Sequence, residues 1–157
     1  MPQDAIETRM AEFGLTRRAV ELVRSHAPIL KTRVPELVDA YYAHLGHTGF
    51  ADLMRSEHIE RLKKARIEHW RLLLDTDFAR VAADYAEHFG PRLLEAGFPR
   101  SIFVLAAEWF AVGMTRFVDG APEIPRTIKT ELRSALLCVT FLDLFLAENS
   151  RQITLID

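Results

Sequence analysis

The residues of this sequence that could do chemistry are its histidines and the carboxylates near them. His44 and His47 are three residues apart, a spacing that can place two side chains on one face of a helix. A zinc site needs a third and usually a fourth ligand, and no carboxylate or cysteine lies beside this pair to supply one. We therefore interpret the pair as helix-end histidines next to the GHTGF loop, and we predict no metal site.

Two other histidines have a carboxylate close in sequence. Asp84 and His88 are four residues apart, so the carboxylate can favour the charged imidazolium, a pairing that is common on helix surfaces. Glu68 and His69 are adjacent, so their side chains point in different directions. The sequence contains no glycine-rich phosphate loop, nucleophile elbow or Cys–His pair. We expect a protein that is not an enzyme.

The composition is that of one folded domain. Of the 157 residues, 49% are hydrophobic and 27% are charged, enough for a single packed core. The net charge is −2 and the basic residues are dispersed, which argues against nucleic acid as a partner. Neither a signal peptide nor an apolar run of about eighteen residues is found, and the only cysteine, Cys138, lies in an apolar run. We predict a cytoplasmic protein without membrane insertion.

The elements that must position these side chains are predicted to be helices throughout. No stretch keeps the two-residue alternation of a half-buried strand, and Gly and Pro lie where helices should begin or end. Thr16 is a predicted N-cap, Asp77 is another, and Gly97 is a predicted C′ residue. The predicted segments are 3–12, 16–28, 29–45 with Pro35 inside, one opened by Ser56, one opened by Asp77 and broken at Gly90-Pro91, 99–118 and 125–150.

The last two predicted helices are apolar on nearly all sides. A helix of this kind must be buried on nearly all sides, which is difficult for two long helices in a chain of this size. We therefore predict a homodimer in which these helices form an intermolecular four-helix bundle, against the alternative that both are central in a monomer. The predicted interface residues are Trp109, Met114, Leu136, Val139, Leu142 and Phe145.

The order of several motifs resembles the sensor globins, the input domains of globin-coupled sensors, and more distantly the protoglobins. These motifs are DAYYAHL, IERLKKARIEHWRLLL, the EAGFP element and the two long C-terminal helices. The resemblance covers essentially the whole chain and implies a globin-like all-α fold of about seven to eight helices. It also implies that Tyr42 is the distal tyrosine and that Trp70 packs within the distal-side helix.

In that family the histidine that binds the haem iron lies four residues before the glycine of the EAGFP-like element. Here that position is Leu93, and an aliphatic side chain cannot bind iron. We predict a haem-free domain without a cofactor, in which Leu93 with Phe89, Phe98 and Phe103 fills part of the space of a porphyrin. The residues predicted to form the former haem pocket are Tyr42, Leu62, Phe89, Leu93, Phe98 and Phe103. The first alternative is a gas sensor that holds haem b through His88. The second is a purely structural dimerisation domain.

The resemblance also implies a signalling role for a single domain spanning residues 1–157. Its output module would follow in the same chain and would be a chemotaxis signalling domain, a cyclic-dinucleotide synthase or a histidine kinase, with the chemotaxis receptor preferred. A pH stimulus is one hypothesis, and a small apolar or aromatic ligand is another. The histidines that could sense protons are His26, His44, His47, His58, His69 and His88.

Overall fold

The computed structural model describes residues 2–55 and 57–154, and the described residues contain helices and no strand. Seven α-helices and two short 3₁₀ segments follow one another along these described residues. The α-helices are α1 (Gln3–Glu12), α2 (Arg17–Leu45), α3 (Ile59–Leu74), α4 (Phe78–Glu87), α5 (Phe89–Glu95), α6 (Ser101–Gly120) and α7 (Lys129–Thr154). The 3₁₀ segments are Ala51–Arg55 and Arg126–Ile128. The predicted all-α class is confirmed.

Helix α2 is longer than the sequence predicts. Thr16 caps its start by accepting a hydrogen bond from the backbone N–H of Ala19, as expected. The predicted end at Pro28 is wrong, because the helix continues through Pro28 and Pro35 to Leu45. An interior proline costs a helix about 3 kcal/mol. The apolar side of α2 is buried against α3, α6 and α7, and this packing holds the helix continuous across both prolines.

The boundary between α4 and α5 also differs from the prediction. Asp77 caps α4 by accepting from the N–H of Arg80, but the helix ends at Glu87. His88 separates the two helices, so Gly90 and Pro91 lie inside the first turn of α5 instead of forming the break. Proline is tolerated there because the first turn of a helix has no internal partner for its N–H groups. The predicted Ser56 start of α3 lies outside the described residues.

Helices α6 and α7 form an antiparallel pair, and α2 and α4 pack against it. By length and composition, α6 is the one helix of the described chain that could span a membrane, with a mean hydropathy of 1.4. Its apolar character matches its position in the core, where it buries Phe103, Phe110 and Met114 among others. Gly97 has φ +89°, which glycine adopts without strain, and it ends α5 as predicted.

Candidate functional site

The most polar part of the core is centred on His69 of α3, whose side chain is completely buried. Its Nδ1 lies 3.0 Å from Oδ2 of Asp84 on α4, and its Nε2 lies 2.8 Å from Oδ1 of Asp143 on α7. Tyr85 donates its hydroxyl hydrogen to the same Oδ1 of Asp143 at 2.6 Å. Both ring nitrogens face acceptors, which is the arrangement expected of a doubly protonated imidazolium.

Opposing effects act on the protonation of this cluster. Burial by itself lowers the pKa of His69, but the charge of Asp143 and the hydrogen bonds to Asp143 and Asp84 outweigh it, so the net pKa is raised. The pKa of Tyr85 is raised well above its ordinary value by burial and by the charge of Asp143. The raised pKa of His69 favours its charged imidazolium form, and Tyr85 stays a neutral hydrogen-bond donor at neutral pH.

Arg66, one turn before Trp70 on α3, is a second buried cation. The residue is 1% exposed, and its Cζ lies 4.3 Å from the ring centroid of Phe89 and 5.5 Å from that of Trp70. It also interacts with Tyr42 through a hydrogen bond. Burial raises the pKa of Tyr42, and the charge of Arg66 and this hydrogen bond offset part of the increase. Within the part of the chain that the structure describes, Nε and Nη2 of Arg66 have no hydrogen-bond partner, and the hydroxyl of Tyr41 has none either. Buried polar groups without partners are rare in native cores.

The six predicted pocket residues are all buried, with exposures between 1% and 4%. Tyr42 and Phe89 both contact Arg66, and Phe103 packs edge-on against Tyr85 at 5.7 Å between ring centroids. Phe98 instead packs against Phe50, at 6.3 Å. Three of the six, Tyr42, Phe89 and Phe103, thus contact buried polar or charged side chains, a feature that the sequence does not predict. The remaining members are Leu62 and Leu93.

His88 does not face this pocket. Its side chain is 65% exposed, and its nearest charged neighbour is Glu87, at 3.9 Å. Asp84, which the helical spacing pairs with His88, binds His69 instead. The predicted Asp84–His88 pair is therefore wrong, because α4 ends at Glu87 and the chain at His88 leaves the helical register.

The other histidines lie at or near the surface. His44 stacks on Trp109 at 4.8 Å between ring centroids, and Nδ1 of His26 lies 2.8 Å from the carbonyl oxygen of Leu22. His47 and His58 are exposed. Only His69 of the six predicted proton-sensing histidines is buried between carboxylates.

The predicted interface residues are mostly inside the protomer. Met114, Leu136, Val139 and Leu142 are completely buried in its own core, so the prediction that they contact a partner is wrong. A helix can be apolar all round because neighbours of the same chain cover it, and α2 and α4 cover the α6–α7 pair. Trp109 is half-buried and donates its Nε1 hydrogen to the carbonyl oxygen of Leu37, while Phe145 is half-buried against Phe13. The exposed large apolar residues of this pair are Val104, Leu105, Leu137 and Phe141.

The sequence alone does not reveal the roles of His69 and Arg66. One available signal is Asp143, an acidic residue in the apolar run of α7, because a charge in such a run must find a partner inside the fold. The pattern RLKKAR favours a solvated basic face for Arg61, Lys63, Lys64 and Arg66, and this interpretation is wrong for Arg66. Its position one turn after Leu62, on the apolar face, is the signal that separates it from the others.

The chain belongs to the protoglobin family, because the family model Protoglobin matches residues 3–154. This match confirms the resemblance inferred from the sequence motifs. No curated protein sequence matches the chain.

The side chains between α3 and α5 do not fit the haem that the fold family implies. Leu93 offers no iron ligand, and both nitrogens of His69 are engaged by carboxylates. Arg66 of α3 and Phe89 of α5 are in direct van der Waals contact, which leaves no room for a porphyrin between them at this point. The position that the family uses for its iron ligand therefore carries no donor atom, and the Arg66–Phe89 contact fills the space between the two helices at this point.

Proposed function

We propose that this chain is a haem-free sensory input domain of a cytoplasmic signalling protein, acting as a homodimer and not as an enzyme. The observation that carries the proposal is the contact between Arg66 and Phe89 beside Leu93, which puts a charged core where the family holds its cofactor. Membership of the protoglobin family supports the globin-fold part of the proposal.

The test is the absorption spectrum of protein purified from cells supplied with a haem precursor, repeated after adding haemin. We expect no Soret band above that of free haemin. A stoichiometric Soret band would overturn the haem-free proposal and favour the gas-sensor alternative. In that case, His88→Ala in the same assay shows whether His88 is the iron ligand. The 65% exposure of the His88 side chain argues against this role.

The buried charges argue against a purely structural domain. A guanidinium with two unpaired donors lowers stability relative to an apolar side chain of similar volume, so a domain that only dimerises has no need of it. If the domain is a sensor, Arg66→Met should leave the dimer intact and change the signalling output of the full-length protein. Unchanged output with an intact dimer would favour the structural alternative.

For the stimulus, two candidates share this core. One is a proton on His69, since this imidazole joins α3 to α4 and α7. The other is a small ligand near Arg66. Either stimulus would act by binding more tightly to one of two packing arrangements of the helices, so that this arrangement becomes more populated. Helix α7 would transmit the change to the output module.

The output module is proposed from the resemblance alone. A methyl-accepting chemotaxis domain C-terminal to this one is our first candidate, ahead of a cyclic-dinucleotide synthase or a histidine kinase. Attractant or repellent responses of cells that carry the full-length protein, compared with cells that lack it, test this choice.

A further inference from the structure

The unpaired atoms of Arg66 lie on one edge of its guanidinium group. The Nε–H bond and one N–H bond of Nη2 are parallel, so together they can donate two hydrogen bonds to the two oxygens of one carboxylate. The same guanidinium interacts with Tyr42. No carboxylate of the described residues forms an ion pair with Arg66, and the core carboxylates Asp84 and Asp143 bind His69.

Tyr41, whose ring lies near the guanidinium, supplies a further unpaired donor. Its ring centroid lies 5.9 Å from Arg66 Cζ, and its hydroxyl is buried without a partner. Burial raises the pKa of Tyr41 to about 12, so the hydroxyl keeps its hydrogen at neutral pH. The unpaired atoms of this cluster are therefore donors from Arg66 and Tyr41. A ligand that satisfies them must accept hydrogen bonds, and the charge of Arg66 favours an anion.

A crevice between α3 and α5 lies one helical turn from this position, and Arg66 itself is not among its lining residues. Its volume is about 520 Å³, within the range of pockets that hold small organic molecules. Leu62 and Ala65 form its α3 wall, and Leu62 is one turn before Arg66 on the same face. On α5, Arg92 lines the crevice one turn after Phe89.

The side chains that line the crevice and those around the guanidinium both suit an organic acid. Three basic residues, Arg61, Lys64 and Arg92, line the crevice with two acidic ones, Glu68 and Glu95. The surroundings of the guanidinium are aromatic. The rings whose centroids lie within 6 Å of its Cζ are those of Phe89, Trp70 and Tyr41. Such walls favour an apolar or aromatic body attached to the charged group.

We propose that Arg66 anchors the carboxylate of a small aromatic or short aliphatic acid, which enters through the α3–α5 crevice and accepts a third hydrogen bond from Tyr41. This inference rests on the proposed haem-free pocket. It identifies the chemical class of the ligand that such a pocket would hold.

The test is calorimetric titration of the wild-type protein with benzoate and octanoate, alongside benzamide as a neutral probe of similar shape and nitrate as an inorganic planar anion. We expect at least one of the two acids to bind, and benzamide to bind about tenfold more weakly than benzoate or not at all. Equal binding of benzoate and benzamide, binding of nitrate alone, or no binding of either acid at millimolar concentration would overturn the proposal.

Variants of the arginine locate the site. Arg66→Met should abolish binding of the acids, and Arg66→Lys should weaken it about tenfold because an ammonium cannot present two parallel donors. Arg71→Gln, an exposed arginine on the same helix, is the matched control and should bind as the wild type does. Thermal unfolding shows whether Arg66→Met is folded, and Tyr41→Phe gives a second, milder variant with weakened binding. Wild-type affinity in Arg66→Met would overturn the assignment.

The same protein samples separate this inference from the proposed function. A Soret band in the wild-type preparation contradicts the haem-free proposal. A colourless, folded protein that binds neither benzoate nor octanoate contradicts only the proposed carboxylate site.

Discussion

The imidazole of His69 and the carboxylate of Asp143 meet at 2.8 Å in the centre of the helical core, where both residues are at least 96% buried. Their contact joins α3 to α7, and the bond from His69 to Asp84 adds α4. An interior ion pair that links three helices makes their packing depend on one protonation state.

The first prediction concerns the pH dependence of stability. The raised pKa of His69 means that the folded state holds its proton more tightly than the unfolded chain does. Its stabilising contribution is therefore complete below the unfolded pKa of about 6.5 and is lost as the pH rises through the folded pKa. We expect the free energy of unfolding to fall across this window, by about 1.4 kcal/mol for each unit by which the pKa is raised.

Denaturant unfolding between about pH 6 and pH 9, below the range where tyrosines titrate, measures this effect. His88→Gln, which changes an exposed histidine, should keep the pH dependence, whereas His69→Gln should lose it. If His69→Gln does not fold, NMR titration of the wild-type imidazole gives the pKa directly. A value at or below about 6.5 would contradict the prediction.

The second prediction concerns the energy of the Asp143 contacts. Asp143→Asn removes the charge that faces His69 and should destabilise the protein by about 3 to 5 kcal/mol. Tyr85→Phe removes one hydrogen bond to the same oxygen and should cost about 1.5 to 3 kcal/mol. Because both changes act on one network, the double variant should lose less than the two single losses combined. Strict additivity in denaturant unfolding would show that the two contacts are independent.

Most of the fold could be predicted from the sequence because its signals are local. The caps at Thr16 and Asp77 and the positive φ of Gly97 each depend on a few neighbouring residues. The continuity of α2 through Pro28 and Pro35 could not be predicted, since it depends on packing against helices that are distant in the sequence.

The candidate site is predictable only in part, for the same reason. Leu93 and Phe89 are predicted pocket residues because of the family resemblance, which places the proximal position four residues before Gly97, and the structure shows that both are buried. The partners of His69 are 15 and 74 residues away along the chain, so no local spacing reveals them. The surface for a partner cannot be inferred from hydrophobicity alone, because burial within the protomer and burial in a dimer leave the same apolar pattern in sequence.

The third prediction concerns the close approach at Gly90. A Cβ at this position would clash with the backbone carbonyl oxygen of Tyr85, so the α4–α5 junction must shift to accommodate it. Although alanine favours a helix intrinsically, we expect Gly90→Ala to destabilise the protein by about 1 to 3 kcal/mol. Gly49→Ala is the control, since no atom lies within 4 Å of the position that its Cβ would take, and it should change stability by less than about 0.5 kcal/mol. Equal midpoints of thermal unfolding for the two variants would contradict the predicted clash.

The last prediction concerns the proposed homodimer. Leu137 and Phe141 are one turn apart on α7, and they are 42% and 59% exposed. Val104 and Leu105 are exposed on the neighbouring α6, so the pair presents apolar side chains from both helices to the outside. We expect the wild type to sediment as a dimer and Phe141→Glu to sediment as a folded monomer, because the new charge would be buried without a partner in the interface. Leu94→Glu, at an apolar residue of α5 that is 52% exposed, should remain dimeric. A monomeric wild type would refute the dimer, and a dimeric Phe141→Glu would move the interface away from this face of α7.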